Sequence, residues 1–405
     1  MWNINFSAKK AIYCICVFLA LWTLGAHAAT LPPDPDNAAL LYYQAFLLRP
    51  EPDADTSESI YKVLRGGEPD EKLRKYLNLS DCRDTIEFAE AAAQLPQCNW
   101  GIRYSQGIGA RLPKLVHIRT LSFLLYADAR VLAADGNYKE AINRCLTIQR
   151  FAEHVGDDTV ISYFLSVSVN GLAYRCIQDV LGSMPPDVDI LVWLRDQLIM
   201  RGDIPSLVQA LKTDEEMCIQ SLRSNPDKLK KFREYLAENA DDENTRKEIL
   251  GLDYESLIAY VRKPNVDFLN SIFRVIDKEM AYQEKLSEIQ KLSEVMNDEY
   301  DVSHYVVADK IPEQFNVIVR NTAHFNTLNA AIKIYLIKAR TGQLPQTLPP
   351  GLPKDPFSGQ DFQYEITEKG FVLRCRAKDI LASQALQPFG TDPDVVHEYE
   401  FELKM

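Results

Sequence analysis

Apolar residues in the middle of the chain repeat with the period of a helix. Leu115, Ile118, Leu121, Leu125, Ala129 and Leu132 recur every three or four positions, which predicts one buried face on a helix beginning near Leu112. Asp135-Gly136-Asn137 interrupts the pattern. A second helix is predicted over 138–154, with Ala141, Ile142, Cys145, Ile148 and Phe151 or Ala152 inward, and Gly156-Asp157-Asp158 ends it. Residues 159–181 are apolar on nearly every side apart from Asn170, Arg175 and Gln178, as in a central helix packed on several neighbours. After Pro185-Pro186 the period resumes over 188–200, and Asp203 is placed to cap a further helix reaching Arg223. Residues 225–297 are charged but still helical in pattern, with Ile276, Met280, Leu286, Ile289, Leu292 and Met296 as the last inward positions. Pro312 then opens a helix over 313–340.

The two ends of the chain read differently. Asp36 or Asn37 is placed to cap a helix that opens at Ala38, after the extended run Leu31-Pro-Pro-Asp-Pro-Asp36. Residues 50–57 are expected to form a loop, followed by short helices over 71–77 and 84–95 and an irregular connection over 96–109. Beyond Thr341, five prolines and three glycines fall within nineteen residues. Alternating runs come next: Phe362, Tyr364 and Ile366, then Phe371 and Leu373, and finally Tyr399, Phe401 and Leu403. With Lys369-Gly370 as the turn, the first two predict a hairpin, and 398–404 a third strand. The fold class expected is mainly α: stacked antiparallel helical hairpins with a small C-terminal α/β (β-hairpin) cap. The divisions are 1–28 as a leader, 29–340 as the helical domain and 341–405 as the cap packed on the last helix.

Three resemblances accompany this pattern. The run Ala133-Ala134-Asp135-Gly136-Asn137-Tyr138-Lys139-Glu140-Ala141-Ile142 resembles the turn of a tetratricopeptide repeat, which implies a helical hairpin; no second copy follows at a period of about thirty-four. The series Tyr335, Gly342-Gln-Leu-Pro345, Leu348, Leu352-Pro353, Asp355-Pro356-Phe357-Ser358-Gly359, Tyr364 and Gly370-Phe371 is similar to the C-terminal part of type II secretion pseudopilins. That resemblance implies a helix feeding a loop and a small sheet. The leader lacks the prepilin cleavage pattern, and Arg374-Cys375-Arg376-Ala377-Lys378 stands where that family's acidic calcium loop would fall. As a whole, the chain resembles exported, mostly helical bacterial proteins of unknown function, a likeness that implies a compartment and a fold but no reaction.

The first twenty-nine residues bear on the compartment. Lys9 and Lys10 precede an apolar run over 11–24 and then Gly25-Ala26-His27-Ala28-Ala29, the layout of a secretory signal peptide cut between Ala28 and Ala29. The apolar run is shorter than the roughly twenty residues of a membrane span. A periplasmic or secreted protein is therefore expected, with anchoring by an uncleaved N-terminal segment as the alternative. No later run of eighteen apolar residues occurs, so no membrane span is expected after processing. Processing would leave 43 basic and 57 acidic residues, a net charge of −14. Such an acidic surface disfavours nucleic acid and anionic lipid, and no basic run is interleaved with aromatics. Six cysteines would remain: Cys82, Cys98, Cys145, Cys176, Cys218 and Cys375. An even count in an exported chain permits disulfides, and Cys82 with Cys98, the nearest pair and one that flanks a helix-to-loop break, is the bridge expected.

Candidate chemistry is sparse. There is no Gly-x-Ser-x-Gly elbow, no His-Glu-x-x-His and no Cys-x-x-Cys. His304 and His324 bracket one helix entrance, and His117, His154 and His397 stand alone. Gly107-Ile-Gly109 begins like a dinucleotide fingerprint but runs into Arg111 and Pro113 without a preceding strand. Asp53-x-Asp55 and Asp392-x-Asp394 lack the glycine and distal glutamate of a calcium loop. The acid pairs Glu215-Glu216 and Asp241-Asp242-Glu243 would serve glycosidic cleavage only if two carboxylates faced one cleft. In Asp355-Pro-Phe-Ser-Gly359 the turn chemistry is complete: two side-chain acceptors, a proline and a final glycine. No catalytic or metal residue and no cofactor is expected. The leading expectation is a binding or scaffold protein of the cell envelope that engages an envelope protein or polymer. A carboxylate-pair hydrolase and an accessory protein of a secretion system are the alternatives.

Overall fold

The structure is a computed structural model that describes residues 34–156, 159–199, 207–240, 242–299, 308–376 and 398–402. The chain divides into two compact units, Met1–Asp36 and Asn37–Met405. Of the first, only residues 34–36 are described, and they form neither helix nor strand. The expected leader and its cleavage residues Ala28 and Ala29 thus lie outside the described residues, as do Asp203, His304, His397 and Asp392-x-Asp394.

The second unit is mainly α-helical, with a small antiparallel sheet near its C-terminal end. It opens with α1 (Ala38–Leu48), which Asn37 caps by accepting the Ala39 N–H. Helix α2 (Ala54–Leu64) follows where a loop was expected. Asp53 accepts the Thr56 N–H at 2.7 Å, and Ile60, Val63 and Leu64 turn inward, so a short polar stretch becomes a capped amphipathic helix. Helix α3 (Glu71–Leu77) lies as predicted, and α4 (Ser80–Ala93) begins four residues earlier than expected.

The predicted hairpins form the centre. These are α5 (Leu115–Ala134), α6 (Tyr138–Val155) and α7 (Val160–Ser183), the last capped by Thr159. Gly136 takes φ 82° between α5 and α6, which the Asp-Gly-Asn turn required. Ala141, Ile142, Cys145, Ile148, Phe151 and Ala152 are all fully buried. Helix α7 has the length and apolarity of a membrane span, but 61% of its most apolar window is buried inside the fold. It packs on α5, α6 and a later helix, the role its all-round apolarity predicted. The interior also holds an ion cluster: Arg144 bridges Asp128, at 2.8 Å, and Glu90.

Helices α8 (Val188–Ile199), α9 (Leu207–Arg223), α10 (Pro226–Glu238), α11 (Glu243–Gly251), α12 (Tyr254–Asp277) and α13 (Tyr282–Glu299) continue the body. A second, smaller core joins α9 to α12 through Ile219, Leu229, Leu236, Ile249, Leu257 and Val261. Helix α14 (Ile311–Thr341) ends on Gly342, whose φ of 77° closes its C-terminus.

The sheet is β1 (Gln363–Ile366), β2 (Gly370–Arg374) and β3 (Glu398–Glu402), a meander in which Ile366 pairs with Phe371 and Phe371 with Phe401. The turn falls one residue earlier than predicted, on 367–369: Thr367 Oγ1 accepts the Gly370 N–H, so Gly370 already belongs to β2. Ile366, expected inward, is exposed, while Phe371 and Leu373 are buried. Tyr335 of α14 meets Phe371 and Phe401, seating the sheet on the last helix.

Candidate functional site

Pro264 shapes the groove that best suits a ligand. It sits inside α12, where its missing N–H removes the rung that would close on the Tyr260 carbonyl. Tyr260, Pro264 and Phe268 line one wall of a cavity of ≈ 390 Å³, and Leu292, Val295 and Met296 of α13 line the other. The floor is apolar and buried, with Phe268 at 6% and Met296 at 3% exposure, whereas Val295 is half exposed. At the rim, Lys263 and Asp267 form an exposed pair at 2.9 Å. A methionine and an aromatic ring below a charged rim suit an amphipathic segment, because the thioether adapts its shape to the side chain that enters. None of these groove residues was singled out as functional by sequence reasoning, though Leu292 and Met296 were recognised as inward positions. A proline inside a long helical pattern was the signal available.

A second depression of ≈ 510 Å³ lies between the 3₁₀ turn Tyr104–Gly109 and α9, lined by Tyr104, Lys212, Thr213 and Glu216 among others. Gly107 explains why the turn fits there. A Cβ at this position would stand 2.7 Å from both the Met217 carbonyl and the Ser221 amide, and φ is 61°. The glycine-rich motif thus brings backbone against α9; among the described residues no strand precedes it to form a dinucleotide site.

The acid pairs are engaged by cations or caps. Arg262 holds Glu215 at 2.9 Å and Glu216 at 3.2 Å, and Glu215 is almost wholly buried. Asp242 caps α11 by accepting the Asn244 and Thr245 N–H groups, bonds that hold its carboxyl below the usual range. Glu243 pairs with Arg246 and Lys247 on the surface, and Asp241 lies outside the described residues. Asp214 behaves differently. Burial pushes it up to about 6 even though it accepts the Val160 N–H, and burial raises the Cys218 thiol one turn away to about 11.

The described histidines pack against aromatic side chains. His117 stacks on Phe46 with ring centroids 4.9 Å apart. His154 Nδ1 meets the Tyr42 hydroxyl at 3.0 Å, its carbonyl accepts the Trp100 indole N–H, and burial lowers its pKa. His324 lies against Tyr174 and Tyr399, joining α7 and α14 to β3. Lys114, missed by sequence reasoning, is fully buried. Its Nζ donates to the Val155 carbonyl at the end of α6 and lies 5.1 Å from the Trp100 ring centroid. A cation there meets both the negative helix end and a π face.

The remaining motifs also have structural partners. Asp53 caps α2, and Asp55 pairs with Lys72. Asp355 is fully buried, accepting the Phe357 and Arg376 N–H groups and the Ser358 hydroxyl, while Gly359 takes φ 70°. Phe357 meets Tyr282 of α13, which in turn stacks on Phe315 of α14. Among the described residues, no group of three or more His, Cys, Asp or Glu side chains is placed to hold a metal ion.

The expected Cys82–Cys98 bridge is not formed. Cys82 sits in the first turn of α4 beside Tyr76, and Cys98 follows the far end of that helix. Cys82 stands at one end of α4 and Cys98 beyond the other, whereas a disulfide needs the two Cα atoms within about 7 Å. No family model, curated protein or solved structure matches the chain.

Proposed function

We propose that this chain is an exported helical binding module that holds an amphipathic segment of an envelope protein in the groove between α12 and α13. The groove itself carries the reading: an apolar floor of Phe268 and Met296 beneath the exposed Lys263–Asp267 pair. Export is inferred from the leader and its Ala28/Ala29 cleavage point. A hydrolase built on paired carboxylates finds less support, because Arg262 already engages both Glu215 and Glu216.

The test is photocrosslinking in the intact envelope. A photoreactive amino acid replaces Val295 or Tyr260 on opposite groove walls, with exposed Ile366 on the sheet as the control position. The same protein adduct from both walls, absent at Ile366 and lost on Phe268→Ala, is the expected result. No adduct from either wall, or identical adducts at all three positions, would overturn the binding role. Intact-mass measurement of the purified chain checks export separately: loss of residues 1–28 supports it.

A further inference from the structure

Cys145 on α6 and Cys176 on α7 face each other in the core, with their sulfur atoms 2.6 Å apart. Both side chains are fully buried, and thirty-one positions separate them in sequence. We propose that these two residues form a disulfide in the exported protein, pinning the central hairpin α6–α7. Geometry and compartment act together here. The two helices are consecutive and packed along much of their length, which holds the two sulfurs face to face and leaves only about half an ångström to close. The compartment implied by the leader is oxidising. The proposal rests on the export reading only for that oxidant.

The chemistry is ordinary thiol–disulfide exchange. The oxidant is a disulfide R–S–S–R, carried by an oxidoreductase or a small thiol such as glutathione. One protein thiol loses its proton and attacks a sulfur of R–S–S–R, expelling one thiolate and forming a mixed disulfide. The second protein thiolate attacks the protein sulfur of that intermediate and expels the other. Two protein S–H groups and one R–S–S–R become one protein S–S bond and two R–SH, and the two electrons end on R. Exchange must precede closure of the core, because the buried sulfurs are out of reach of R–S–S–R afterwards. Burial also pushes the Cys176 thiol well above its ordinary value, keeping it protonated and unreactive once folded. The bond is therefore made during folding and protected afterwards. Closing a loop of this length restricts the unfolded chain.

The experiment uses the full chain with its own leader, expressed in a bacterial host, quenched in acid, alkylated and digested for mass spectrometry. The expected result is a linked peptide pair containing Cys145 and Cys176, two hydrogens lighter than the sum of its thiol forms. It should persist in Cys82→Ala and vanish in Cys176→Ala, where Cys145 becomes alkylated. Unfolding the wild type in reductant and refolding it reduced should lower its thermal midpoint by roughly 5 °C, and Cys145→Ala/Cys176→Ala should not respond to that treatment. Free thiols at both positions in chains whose leader has been removed would overturn the proposal. If the leader is retained, the purified chain is unfolded and refolded in oxidised and reduced glutathione. Linkage of the pair then supports the geometry and isolates the failure to export, whereas pairing of other cysteines, or none, refutes the geometry itself.

Discussion

The central hairpins α5–α7 and the flanking helices α9–α11 share one secondary structure but not one source of stability. Helix α6 buries eleven of its residues, whereas α10 buries three and α11 one. The ion pairs differ in the same direction. Arg144 bridges Asp128 and Glu90 in the interior, while Glu243 meets Arg246 and Lys247 in solvent. Helical periodicity is similar in both regions. The number of neighbours that each apolar face meets distinguishes a global core from a local one, and stability should be distributed accordingly.

The largest effect expected is from Phe151→Ala. This ring is fully buried against Tyr42 and Phe46, and truncation should cost about 3–5 kcal/mol. Denaturant unfolding with hydrogen exchange should show protection falling across α5–α7 together; loss confined to α6 would break the idea of one central core. Next, Asp128→Ala should cost about 3 kcal/mol by leaving Arg144 buried with one carboxylate fewer, whereas Glu243→Ala should change stability by less than about 0.5 kcal/mol. Equal costs for the two variants would erase the distinction drawn between buried and surface pairs.

A cut in the smaller core should be felt locally. Leu229→Ala is expected to cost about 2–3 kcal/mol, read by hydrogen exchange as faster opening of 226–251 while α6 keeps its protection. If α6 opens in step, the two cores are one cooperative unit.

A pH-dependent effect sits where the regions meet, at Asp214 of α9 beside the start of α7. Its folded pKa of about 6 is above its value in an unfolded chain, about 3.9. Between these values the folded state binds more protons, so this group's stabilising contribution is complete below pH 4 and is lost as pH rises through 6. Asp214→Asn keeps an acceptor for the Val160 N–H and removes the titration. Its thermal midpoint should exceed that of the wild type by a few degrees at most at pH 7.5 and match it at pH 4. A midpoint difference independent of pH would mean that Asp214 is not held neutral by burial.

Local chemistry made much of this fold legible. The spacing of Ile118, Leu121 and Leu125, the Gly136 turn, the Thr159 cap and the alternation around Phe371 depend on residues a few positions apart. Their reading as helices, a hairpin and a strand agrees with the structure. Helix α2 was not legible because Asp53 and three inward apolar residues are a weak signal among polar neighbours. The motif Asp355-Pro-Phe-Ser-Gly359 was recognisable as a turn, yet its bond to Arg376 and its contact with Tyr282 were not. Those depend on segments that come together only when the chain folds.

The chain by itself determined its helical character and its small terminal sheet. Those properties follow from periodicity and composition, which need no knowledge of what packs on what. Tertiary structure decided the pairings. It set Cys145 against Cys176 while leaving Cys82 and Cys98 unbridged, gave Glu215 and Glu216 to Arg262 forty-seven and forty-six positions away, and pressed Gly107 onto α9. It also opened the groove between α12 and α13. Each is a meeting of distant faces, fixed by how volumes fill the core.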